Sequence, residues 1–140
     1  MLGFIHQIQK DKIQRKILLA FYDEVYSNWE SYHVMYQRGY FFPFRVKVLE
    51  KIKESSDISL DWEKWSVYID VVKTFNKSFE DFAEFERWYA SDMKNKSQEN
   101  AKILHAKKET VSENFKDLEP ILASAKEHLL AYLKTRKILK

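Results

Sequence analysis

Between Ile13 and Tyr36 the chain carries large apolar side chains at helical spacing, with no glycine or proline to interrupt them. Leu18, Tyr22, Val25, Trp29, Tyr32 and Tyr36 step by four and three residues in turn, which lines all six along one seam of an α-helix. Ile17, Phe21 and Tyr26 lie beside that seam and widen it. A stripe so broad and aromatic needs partners, and the remaining sequence offers them as further amphipathic helices.

Only two glycines (Gly3, Gly39) and two prolines (Pro43, Pro120) occur in 140 residues, too few for the tight turns of an all-β or α/β fold. The length suits one core, so a single helical-bundle domain over 1–140 is expected. Its longest uncharged apolar run, Ile17 to Tyr22, is six residues, whereas a membrane-spanning helix needs about 20. No membrane span is expected. The absence of cysteine excludes disulfides, thiolate metal sites and thiol catalysis, and fits a cytoplasmic location.

The first helix is expected from Leu2 or Phe4 to Gln37, ended by Gly39 and kept from restarting by Pro43. A short second helix is expected over Phe44 to Glu54, then a loop at Ser55-Ser56-Asp57, with Ser59 as N-cap of a third helix carrying Trp62, Trp65, Ile69, Val72 and Phe75 on one face. Asn76-Lys77-Ser78 and Asn95-Lys96-Ser97 both read as places where one helix ends and another begins. Between them Phe82, Phe85, Tyr89 and Met93 should point inward, with Trp88 at the edge of that face. In the last stretch Leu104, Val111, Phe115, Leu118, Leu122, Ala125, Leu129 and Tyr132 keep phase across Pro120, which implies two nearly collinear halves with a kink. The expected fold is therefore all-α, an elongated antiparallel helical bundle of five or six helices with long first and last members.

Chemistry is sparsely signalled. Glu30 and His33 have the E-x-x-H spacing of half a carboxylate-bridged metal site, but a complete site needs two copies and none of the other histidines has a carboxylate three residues before it. No metal site or cofactor is expected. Two glycines cannot build a phosphate-binding loop, and no G-x-S-x-G context activates a serine. Glu80 and Glu84 form an acidic pair at helical spacing, which reads as a solvated face.

Two features remain as binding candidates. Tyr40, Phe41, Phe42 and Phe44, flanked by Arg38 and Arg45, combine the residue types that dominate interaction hot spots. Lys134, Arg136, Lys137 and Lys140 form a small basic end suited to phosphate or an acidic surface. Net charge is distributed mildly, +2 over residues 1–50, −2 over 51–96 and +3 over 97–140, so no polycationic tail announces a nucleic-acid ligand. With aromatics at 16% of residues, more than a thin bundle readily buries, the leading expectation is a non-catalytic helical protein–protein interaction or scaffold module with a protein partner or self-association. The alternative is a nucleic-acid-binding helical protein using the basic C-terminus and the Arg38–Arg45 aromatic loop.

Overall fold

A computed structural model describes residues 2–55 and 57–139. Four α-helices account for most of them: α1 (Leu2–Arg38), α2 (Lys47–Glu54), α3 (Trp62–Ser91) and α4 (Gln98–Thr135), with one 3-10 turn at Met93–Asn95. No strand occurs among the described residues. The long first and last helices are as expected, but the count of five or six is not.

The expected break at Asn76-Lys77-Ser78 is absent, and α3 runs straight through it. Its polar residues have other employment there. The Asn76 amide holds the main chain of Phe44, and the Ser78 hydroxyl donates to the Phe75 carbonyl (2.8 Å), a bond that fits inside a helix. The second copy of the tripeptide does act as punctuation. Asn95 closes the 3-10 turn, and the Ser97 hydroxyl caps α4 by accepting from the Asn100 N–H. Pro120 starts no new helix either. It lies on the exposed side of α4, where water can reach the Lys116 carbonyl that loses its helical donor.

α1 ends as the sequence implies. Gly39 takes φ +72°, and its N–H donates to the Met35 carbonyl at 2.8 Å. α2 starts at Lys47 rather than Phe44, and α3 has Asp61 rather than Ser59 at its N-cap position. The Ser59 carbonyl instead accepts the Tyr132 hydroxyl of α4 (3.0 Å).

α3 and α4 form the most extensive helix pair, antiparallel, with α1 laid along α4 and α2 against α1. Tyr32 of α1 stacks on Phe115 of α4 with ring centroids 4.5 Å apart, and Phe21 meets Trp65 of α3 edge to face at 4.9 Å. The buried seam of α1 is Leu18, Phe21, Val25, Asn28, Tyr32 and Met35, with Glu24 beside it. It keeps the expected seven-residue repeat but is turned one residue from the expected phase at every second position. Tyr22, Trp29 and Tyr36 therefore lie on the edge or outside. On α4 the buried row is Val111, Phe115, Leu118, Leu122, Ala125, Leu129 and Leu133, with Leu104 and Tyr132 only half-buried.

The core occupies the middle of the molecule. Beyond it, at one end, the start of α1 projects with Phe4 and Ile5 exposed. At the other, the far part of α3 and the start of α4 continue as a two-helix hairpin in which Phe82, Phe85 and Tyr89 are half-buried, and Met93, expected inward, is 78% exposed. Among the described residues no helix is long and apolar enough to cross a membrane.

Candidate interaction surface

The segment from Tyr40 to Val46 is bound to the core more tightly than its loop character suggests. Asn28 accepts from the Arg45 N–H (3.0 Å) and donates to the Arg45 carbonyl (2.7 Å), while Asn76 accepts from the Phe44 N–H (2.8 Å) and donates to the Phe44 carbonyl (2.9 Å). Both carboxylate oxygens of buried Glu24 then accept the Val48 and Leu49 N–H groups (3.0 and 3.2 Å). Those are two of the orphan donors of the first turn of α2, whose own N-cap position holds Val46 and makes no side-chain cap. A glutamate from α1 thus caps α2 across the fold.

This anchoring decides what the aromatic loop presents. Phe44 is buried against Phe75 (5.2 Å), and Phe41 meets Phe115 (5.2 Å) and Phe75 (6.0 Å) edge to face. Phe42 is half-buried beside Tyr40. Only Arg38, Tyr40 and Arg45 of the six sequence candidates lie on the surface.

At the other end of α1, Lys134, Arg136 and Lys137 are exposed, with the Arg136 guanidinium over the Tyr132 ring (4.7 Å); Lys140 lies outside the described residues. Arg136 and Lys137 share a pocket wall with Arg15. Since Arg15 and Arg38 are separated by roughly 35 Å of helix, the basic end and the arginine-flanked loop do not form one patch.

What the structure does bring together is an aromatic strip along the α4 side of α1. Tyr22 stacks on Tyr26 (5.8 Å), Trp29 meets His33 edge to face (4.3 Å), and Tyr36 stacks on Tyr32 (6.4 Å). The strip spans about 21 Å. Tyr36 is 73% exposed, and Tyr26 and His33 are also on the surface. Lys126 of α4 sits over both Tyr26 (5.6 Å) and Trp29 (5.1 Å), closing the strip's edge with a cation on two ring faces. Burial, with Glu119 as the next cause, raises the Tyr32 hydroxyl above the usual tyrosine range.

The strip was readable as spacing, since residues 22, 29 and 36 repeat every seven, but its exposure was not. The same geometry accounts for His33. Its Nδ1 lies 2.9 Å from the Trp29 carbonyl and its ring is fixed between Trp29 and Tyr32, while Glu30 is on the surface. No group of three or more metal-ligating side chains converges among the described residues.

No protein-family model matches the sequence, and neither a curated protein nor a solved structure matches it significantly.

Proposed function

We propose that the chain is a non-catalytic helical interaction module that docks a protein partner along the α1 aromatic strip. The observation that carries this reading is the run of rings from Tyr22 to Tyr36, ordered by mutual stacking and by Lys126 yet left facing solvent at Tyr26, His33 and Tyr36. Rings already held in place lose little side-chain freedom on docking, which is why rigid aromatic anchors dominate interface energetics. The rigid support beneath them, with the loop pinned by Asn28 and Asn76, favours a surface that binds without reshaping.

The test is site-specific photocrosslinking in the native host. A photoreactive phenylalanine analogue at Tyr36 should give one discrete protein adduct, and the same analogue at exposed Lys64 of α3 should not. Adding Tyr26→Ser and His33→Ser should remove the adduct. Indistinguishable labelling from positions 36 and 64 overturns the reading.

A further inference from the structure

The first four turns of α1 are largely exposed, and on one face they meet Ser55, Asp57 and Ile58. Gln14 donates to the Asp57 carbonyl (3.0 Å), Lys10 pairs with the Asp57 carboxylate (3.8 Å), and Ser55, Asp57 and Ile58 line a groove with His6, Ile13 and Ile17. On the opposite side Phe4, Ile8, Lys12 and Arg15 follow one another at helical spacing, all exposed. Lys12 and Arg15 have no ion-pair partner among the described residues, and Arg15 lies beside the like charges Arg136 and Lys137. Residues 2–16 carry four basic groups against one acidic.

The far end of the molecule carries the converse pattern. Residues 79–92 hold five acidic groups against one basic. On the outer face of the α3–α4 hairpin, Asp81, Glu84, Phe85 and Trp88 line a groove of about 340 Å³ whose α4 wall is Lys107, held 5.6 Å over the Phe85 ring. Asp81 and Glu84 have no ion-pair partner among the described residues, Trp88 is 46% exposed, and Met93 stands just beyond the end of α3.

Read from N- to C-terminus, the arm offers apolar, apolar, cation, cation at residues 4, 8, 12 and 15. The hairpin face, read in reverse, offers apolar, anion, anion at 88, 84 and 81, against apolar, cation, cation at 8, 12 and 15. The steps of four and three from 8 to 15 and from 88 to 81 keep these two rows in register when the helices lie antiparallel. Ile8 then meets Trp88, Lys12 meets Glu84 and Arg15 meets Asp81, while Phe4 reaches past the end of α3.

One chain cannot make this contact with itself. From Ile8 to the Tyr32–Phe115 stack is about 36 Å of α1, and from Phe115 to Lys107 a further ~12 Å of α4 in the same direction. We infer that the Ile8–Arg15 face of the α1 arm docks antiparallel on the Asp81–Trp88 face of a second copy, joining chains through apolar packing at the helix ends and two charge pairs beside it. This deepens the reading of the chain as an interaction module and uses none of the strip residues, so a failed crosslink at Tyr36 and a failed arm contact are separate results.

Sedimentation velocity of the full chain tests it. The weight-average mass should rise with protein concentration and fall as salt is added, because exposed ion pairs are screened. Lys12→Glu with Arg15→Glu should leave a monomer, as should Asp81→Lys with Glu84→Lys. Mixing the two variants, or combining all four changes in one chain, should restore association. All four positions are on the surface, and unchanged helical circular dichroism confirms that the variants fold. A wild-type chain that stays monomeric at high micromolar concentration overturns the proposal. So does association that survives either reversal, or that mixing fails to restore. Binding of a monomeric chain to anionic vesicles, lost with Lys12→Glu and Arg15→Glu, also overturns it and assigns the arm to a lipid surface.

Discussion

Asn28 on α1 and Asn76 on α3 grip consecutive links of the same strand of backbone, Asn28 taking both main-chain groups of Arg45 and Asn76 both of Phe44. A primary amide is the only common side chain that offers a donor and an acceptor in the spacing a peptide unit presents. Asn28 is buried and spends a further N–H on the Tyr68 hydroxyl (2.9 Å). Replacing it with alanine leaves part-buried main-chain groups of Arg45 without their partner, at a cost of about 2 kcal/mol. Asn28→Asp should also destabilise, because a carboxylate cannot donate to the Arg45 carbonyl. Urea unfolding of Asn28→Ala, Asn76→Ala and the double variant measures both points. Since both amides hold one segment, the double variant should lose less than the two single losses added together.

Glu24 makes a related prediction. Among the described residues its two oxygens are the only side-chain acceptors for the first turn of α2, so Glu24→Ala should cost about 2 kcal/mol and Glu24→Gln, which retains one acceptor, about half as much. The ranking wild type, Gln, Ala in urea midpoints is the expected result. Equal losses for Gln and Ala would mean that the cap is not what Glu24 contributes.

The sequence carried the helical class, the long outer helices and the glycine stop, because those depend on spacing and on local conformational preference. The phase of α1 was harder. Residues 18, 22, 25, 29, 32 and 36 and residues 18, 21, 25, 28, 32 and 35 follow the same seven-residue repeat, and hydrophobicity alone favours the first, since it avoids Asn28. The fold takes the second because Asn28 and Glu24 are needed inside to satisfy a loop lying some twenty residues further on. Asn76 failed as a boundary marker for the same reason, since its side chain is used by a tertiary partner that spacing cannot reveal. The aromatic loop was visible as composition. Whether it faced solvent was decided by Phe75 and Phe115, far away in the chain.

Tyr68 gives a pH dependence. Burial raises its hydroxyl far above the usual tyrosine value of 10, opposed only in part by the Asn28 hydrogen bond. An acid whose folded value lies above its unfolded value contributes stability that is fully present below the unfolded pKa and lost as pH rises through the folded one. Stability should therefore hold to about pH 10 and decline above it. Tyr68→Phe should flatten that alkaline decline even if it lowers stability at neutral pH, where Asn28 loses an acceptor. Urea midpoints followed from pH 8 to 12 distinguish the two chains, and parallel curves would exclude Tyr68 as the cause.

Two helix ends should respond in opposite directions to opposite changes, one adding a Cβ and the other removing it. Gly39 follows α1 with φ +72°, and Lys137 follows α4 with φ +59°, the only described non-glycine residue in the left-handed region. Each end closes properly. The Ile138 N–H donates to the Leu133 carbonyl (2.9 Å) and the Lys137 N–H to the Lys134 carbonyl (3.0 Å), a Schellman arrangement with half-buried Ile138 folded back on buried Leu133. A Cβ in this conformation costs about 1–2 kcal/mol. Gly39→Ala should therefore destabilise by about 1 kcal/mol although no atom lies within 4 Å of the added methyl, and Lys137→Gly should stabilise by a similar amount. If thermal unfolding shifts Gly39→Ala down and Lys137→Gly up, backbone strain controls both ends. A loss at Lys137→Gly would instead show that the lysine side chain contributes more to α4 than its strained backbone costs.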